Sequence, residues 1–167
     1  MSKFMVVVLS ILAAVFVGGG VLAPASASPS VPIPPKPNRD QANVDARTFQ
    51  VSPGVFAFKS PSGNVACKID TTVHGSIGCQ TGVSVKPAGG PACSNKANNK
   101  YLVAFENGNV IHRCTSQGIF YASRQPVLAY GKTVMVQSTS CTSTVHGIAC
   151  YQNHGFMISR DVNISIR

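Results

Sequence analysis

Chemistry in this chain would have to be carried by few groups: five acids, four histidines and six cysteines. A carboxylate pair for general acid and base work needs two acids held in one site. Asp40 and Asp45 fall in a polar stretch near the start, which leaves Asp70, Glu106 and Asp161. A Ser-His-Asp arrangement would combine one of these with His74, His112, His146 or His154, yet no Gly-x-Ser-x-Gly elbow is present. The enzymatic alternative that remains is a small secreted hydrolase, ribonuclease-like, using His112 or His154 with Glu106 and a basic residue. Phosphate loops and dinucleotide fingerprints are absent, since Gly18-Gly19-Gly20 lies in an apolar leader and not at a strand-to-helix turn. No catalytic residue, metal site or cofactor is assigned.

Each histidine also has a structural explanation. His74 and His146 occur in two copies of Thr-Val-His-Gly and read as exposed turn residues. A metal shared between them would need third and fourth ligands that the sequence does not identify. His112 shares strand parity with Val110 and Cys114, and reads as a partly buried, hydrogen-bonded core residue.

Six cysteines with none left over, in a chain read as exported, imply three disulfides. Zinc is the rival reading, but no Cys-x-x-Cys occurs. Spacing selects the pairing. Thr72-Val73-His74-Gly75 is followed by Ile77, Cys79 and Gln80, as Thr144-Val145-His146-Gly147 is followed by Ile148, Cys150 and Gln152. Each copy sits inside a cysteine pair, so Cys67 with Cys79 and Cys141 with Cys150 each close a hairpin, with His-Gly at a tight reversal. Cys93 then pairs with Cys114. A bridge of this kind contributes about 2 to 4 kcal/mol, mainly by restricting the unfolded chain.

The elements that position these groups are short strands behind an export leader. Lys3, the apolar run from Phe4 to Val17 and the small residues Ala25-Ser26-Ala27 have the three regions of a secretory signal, with cleavage expected after Ala27. An uncleaved anchor is the alternative, because Gly18 to Ala23 prolongs the apolar stretch. No cysteine stands nearby to carry a lipid. Residues 28–50 read as a linker: Ser28 to Pro37 is proline-dense and extended, and Asn38 to Gln50 is a loose arm or one weak helical turn. The domain is expected over 51–167.

Within it, alternating runs between turn residues predict about nine strands and no useful amphipathic helix. Val55 to Phe58 is one, and Val65, Cys67 and Ile69 share a face of the next. Asn107-Gly108 predicts a two-residue turn that sets His112 opposite Val103 and Cys114 opposite Tyr101. Val127 to Tyr130, Thr133 to Val136, Gly155 to Ser159 and Val162 to Ile166 continue the series. The fold class is all-β: a small, disulfide-braced antiparallel sandwich or partly open barrel.

Four stretches carry a family resemblance. Ser60-Pro61-Ser62-Gly63-Asn64-Val65 with Cys67, Leu128-x-Tyr130-Gly131, Cys141-x-Ser143 with Gly147 and Cys150, and His154-Gly155-Phe156-x-Ile158-Ser159-Arg160 resemble a domain of exported actinobacterial proteins, mycobacterial ones included. That family is of unknown function and implies no catalytic residue. The motif positions Ser62, Gly63, Asn64, Tyr130, Gly131, His154, Gly155, Phe156 and Arg160 read as structural. Residues 154–160 are expected as one strand, with His154 and Arg160 capping the face that carries Phe156 and Ile158. The absence of Trp argues against an aromatic ligand platform.

The formal charge of +9 falls by one if Lys3 leaves with the signal, and positive residues are spread singly. Scattered charge suits general attraction to anionic surfaces, whereas specific nucleic-acid recognition shows clustered cations with stacking aromatics. The functional expectation is a non-enzymatic module, secreted or held in the cell envelope, that binds an anionic lipid, a wall polymer or a protein. Asn163-Ile164-Ser165 is a glycosylation sequon.

Overall fold

Runs in which every second residue is apolar become strands throughout the computed structural model, which describes residues 30–72, 76–82, 86–94 and 100–167. The expected leader, and with it Val73, His74 and Gly75 of the first Thr-Val-His-Gly copy, lie outside the described residues. Six strands make one antiparallel sheet in chain order: β1 (Gln50–Ser52), β2 (Val55–Lys59), β3 (Val65–Asp70), β4 (Ile77–Thr81), β5 (Lys100–Glu106) and β6 (Asn109–Thr115). Five make a second: β7 (Thr133–Val136), β8 (Thr139–Thr144), β9 (Gly147–Tyr151), β10 (Gly155–Ile158) and β11 (Asn163–Ile166). The sheets pack face to face, so the fold is the sandwich of the two expected architectures. Among the described residues no helix is long and apolar enough to cross a membrane.

Period-two alternation decides which side chains fill the core. Phe58, Val65, Ile69 and Val103 enter it from the first sheet, and Val134, Ile148, Phe156 and Ile158 from the second. The Asn107-Gly108 turn forms with φ of 49° and 77°, and the register is the expected one: Val103 opposite His112, Tyr101 opposite Cys114.

The bridges join Cys67 to Cys79, Cys93 to Cys114 and Cys141 to Cys150. Cys67 and Cys79 are directly opposed on β3 and β4, and Cys141 and Cys150 on β8 and β9, with Cα separations of 4.0 and 4.1 Å. Those are the close, non-hydrogen-bonded positions of an antiparallel pair. Cys79 Sγ lies 3.9 Å from Cys150 Sγ, so the two hairpin bridges meet at the centre of the sandwich.

Three expectations are corrected. Val127 to Tyr130 is not a strand: only Val127 makes a bridge, parallel to Lys59, on the β2 edge that the short β1 leaves open. Leu128 then drops fully into the core, and the chain reverses at Gly131 with φ of 75°. The strand expected over 154–160 stops at Ile158, and Ser159 to Asp161 is a bend. Its cause is Ser159, whose hydroxyl accepts the backbone N–H groups of Asp161 and Val162, both at 3.1 Å, in place of a ladder. His154 and Arg160 are both exposed and do not cap the core.

The stretch expected as a linker, 28–50, is packed on the domain from Val31 onward, and residues 31–167 form one compact unit. Val31 covers Ala149, Tyr151 and Met157 on the outer face of the second sheet, beside Ile164 and Ile166. Tyr151 Oη donates to the Pro34 carbonyl, and Lys36 Nζ to that of Gln152. A proline segment suits this role because it brings few N–H donors to satisfy against an apolar surface. Farther on, Asn38 and Gln41 form a reciprocal cap around a 3-10 turn, Arg39–Gln41. Phe49 ends a second such turn, Ala46–Phe49, and is buried edge-on against Phe58 at 6.0 Å between ring centres.

Candidate functional site

In an antiparallel meander every second connection returns to the same end of the sheet. The β8–β9 and β10–β11 connections therefore share an end of the second sheet, packing of the two sheets sets the β2–β3 connection of the first beside them, and between them lies a cleft of about 320 Å³. Segment 128–131 adds Tyr130 to its wall, and the N-terminal segment adds Val31.

Each wall is locked by its own backbone. In the β2–β3 turn, Ser60 N–H donates to Val65 O at 2.9 Å and Gly63 N–H to Ser60 O at 2.9 Å. The buried Ser60 hydroxyl accepts Val65 N–H at 3.1 Å and lies 3.1 Å from Ser62 Oγ. Gly63, at φ of 73°, supplies the left-handed residue this turn requires. What faces the cleft is Ser62 and the half-buried Asn64, whose side-chain amide forms no hydrogen bond among the described residues.

Tyr130 is held between two fixed neighbours, since Leu128 is fully buried and Gly131 N–H donates to Ser143 O at 2.8 Å. Its ring remains 45% exposed in the cleft wall. In the β8–β9 hairpin the two turn residues are Val145 and His146, and neither has positive φ. Thr144 Oγ1 fixes them by accepting His146 N–H at 3.2 Å while donating to Gly147 O at 3.0 Å. Gly147 is needed for another reason than the reversal expected of it: at φ of 145°, a Cβ there would come within 2.6 Å of Ile158 O. The Ser159 bend presents Arg160 and Asp161, whose guanidinium and carboxylate meet at 3.1 Å with both side chains more than half exposed.

Among the described residues this lining holds one cation, one carboxylate, an imidazole, a phenol, an amide and several hydroxyls, together with Val31, Val65, Val145 and Val162. Nucleophile and base are not coupled in it. Ser62 Oγ is engaged with Ser60, Ser159 Oγ with backbone N–H groups, and the His146 ring forms no hydrogen bond among the described residues. The groups proposed for a hydrolase are separated by strand parity. Arg113 pairs with Glu106 at 2.7 Å, lining a separate depression of about 490 Å³ beside Leu102 and Phe120. His112, next to Arg113 on β6, points the other way and bridges to the second sheet. Its Nδ1 is 2.8 Å from Asn163 Oδ1 and its Nε2 2.8 Å from Ser165 Oγ. An amide oxygen only accepts, so in the neutral ring Nδ1 carries the proton and Nε2 accepts from Ser165. His154 lines a third depression with Tyr151 and Arg167.

Other chemical features resolve into structure. The sulfurs of Cys67, Cys79 and Cys150 lie within 4.8 Å of one another, but all are committed to disulfides. Asn163 of the sequon is fully buried, with its Nδ2 unpartnered, so the folded chain does not present it for glycosylation. His74 lies outside the described residues.

Of the motif residues, Ser62, Asn64, Tyr130 and Arg160 are brought together at the cleft, whereas Phe156 is core and His154 with Gly155 lies at the other end of β10. Thr144, His146 and Asp161 belong to the cleft as well, and the sequence did not mark them as partners of the motif. Alternation of connections along a meander groups Thr144 and His146 with Arg160 and Asp161 at one end of the second sheet, and only packing of the sheets sets them across from Ser62 and Asn64. No family model, curated protein or solved structure matches this chain.

Proposed function

We propose that this chain is an exported, non-enzymatic module of the actinobacterial type it resembles, and that its cleft binds an anionic component of the cell envelope. The observation that carries this reading is the convergence of five separate segments on one cleft in which, among the described residues, no nucleophile is coupled to a base. Three features support it. Three disulfides suit an oxidising compartment outside the cytosol. The chain carries 14 Lys and Arg against five acids, which favours approach to anionic surfaces. Arg160 stands at the cleft with its guanidinium more than half exposed. The hydrolase alternative has no comparable support, since His112 and the Glu106–Arg113 pair lie on opposite faces of the first sheet.

The oxidised protein recovered from the medium should start at Ser28 by terminal sequencing; recovery of the intact Met1 form in membranes would replace export with anchoring. That protein should sediment with phosphatidylglycerol vesicles or with an acidic wall polymer, and not with phosphatidylcholine. Arg160→Ala should weaken this about ten-fold at physiological salt, as expected for losing one charge-assisted hydrogen bond. Binding that survives Arg160→Ala unchanged would remove the cleft from the proposal.

A further inference from the structure

Within the reading just given, the cleft also specifies the chemical class of its ligand. A site built for a bare anion concentrates cations and N–H donors and excludes carboxylates. This one places Asp161 against its single guanidinium, through Arg160 Nε to Oδ1 at 3.1 Å and Nη2 to Oδ2 at 3.4 Å. The pair is neutral overall. A carboxylate in the wall is useful to a ligand that brings hydroxyl donors, because it can only accept. The contact with Asp161 uses Nε and Nη2, which leaves the Nη1 edge of Arg160 for an acidic group.

The remaining lining has the same character. The Asn64 amide offers a donor and an acceptor on one plane, with no hydrogen bond of its own among the described residues. Ser62 adds a hydroxyl, and Tyr130 presents a half-exposed ring on which an apolar C–H face can rest. Polar residues outnumber apolar ones in the lining, which also carries Val31, Val65, Val145 and Val162. At about 320 Å³ the cleft is at the small end of ligand sites, which run from about 300 to 1,000 Å³.

We infer that the cleft binds a short saccharide segment carrying an acidic substituent: sugar ring on Tyr130, hydroxyls on Asn64 and Asp161, acidic group on the free edge of Arg160. This rests on the envelope-binding reading and narrows it from any anion to an acidic glycan.

The test is titration of the oxidised full-length secreted protein, followed by calorimetry and amide chemical shifts. The acidic probes are digalacturonic acid and the N-acetylglucosamine–N-acetylmuramic acid disaccharide. Maltose and chitobiose are the neutral counterparts, with inorganic phosphate and phosphatidylglycerol vesicles alongside. At least one acidic disaccharide should bind, at least ten-fold tighter than its neutral counterpart, with shifts at Asn64, Tyr130 and Arg160. Tyr130→Ala should weaken it several-fold to about ten-fold, the scale of one ring contact. Asp161→Ala should weaken the disaccharide while tightening phosphate, a reversal that loss of structure would not produce. Both positions are exposed, so melting temperatures should stay near wild type.

If vesicles bind through Arg160 and no disaccharide does, the glycan assignment is wrong and the envelope-anion reading stands. If neither binds, both are wrong. Equal weakening of phosphate and disaccharide by Asp161→Ala would also overturn the glycan assignment.

Discussion

A methyl group on Gly155 would lie 2.4 Å from the ring of Tyr151, and that ring is tied by its hydroxyl to the Pro34 carbonyl. The glycine of the His-Gly-Phe motif is thus a packing requirement, unrelated to the histidine before it. Gly155→Ala should destabilise by about 2 kcal/mol, the usual scale of overpacking. Trimming the ring should relieve the clash, so the loss should shrink in a Tyr151→Ala background, measured as a double-mutant cycle in urea. Phe156, fully buried and 5.0 Å from Phe105 between ring centres, should cost about 3 to 5 kcal/mol on truncation to Ala. His154→Ala and Arg160→Ala remove exposed side chains and should stay within about 0.5 kcal/mol of wild type. A His154→Ala variant that kept its melting temperature yet lost turnover of some substrate would restore the enzymatic reading.

At the scale of elements, the proline segment behaves as a structural piece in its own right. β9 and β10 are buried on both faces: Ile148, Cys150, Phe156 and Ile158 look into the core, while Ala149, Tyr151 and Met157 look outward under Val31. Their sequence lacks the polar alternation of a solvated outer face, and that lack is what the segment answers. Loosening it through Val31→Ser with Tyr151→Phe should expose Pro34 and Pro35 to a proline-specific endopeptidase. Cleavage should rise several-fold, with a smaller effect on global stability, because about 1 kcal/mol of hydrogen bonding is local to the segment. Unchanged cleavage would mean that these two contacts do not hold it.

For the whole molecule, the bridges do unequal work. Chain entropy alone assigns about 3 kcal/mol to each, since the closed loops are of similar length at separations of 12, 21 and 9 residues. Position separates them. Cys93 and Cys114 tie a loop to the edge strand β6, whereas Cys67–Cys79 and Cys141–Cys150 touch at the centre of the core. Replacing Cys93 and Cys114 by Ala should lower the unfolding free energy by about 3 kcal/mol. The same change at Cys67 and Cys79 should cost more, because it adds a cavity against Cys150. Denaturant midpoints of the two variants decide this, and equal losses would mean that the central contact contributes nothing.

Local and periodic features were legible in the chain alone. Alternation marked most of the strands, about nine expected against eleven among the described residues, Asn107-Gly108 set the β5–β6 register, and the cysteines that bracket the repeated Thr-Val-His-Gly stretch set two bridges across opposed residues. These depend on neighbours a few residues apart, which the chain states directly. Val127 to Tyr130 has the composition of a strand but no free partner beyond one residue of the β2 edge, so only the assembled sheet could decide against it. Residues 31–37 have the composition of a linker, and only the uncovered outer face of the second sheet recruits them. Ser62, Asn64, Tyr130 and Arg160 were legible as a motif but not as a cleft. Antiparallel order determines which connections share an end within one sheet. How the second sheet is laid against the first is settled by packing of the core, in which Cys79 meets Cys150, and that choice sets His146, Arg160 and Asp161 across from Asn64.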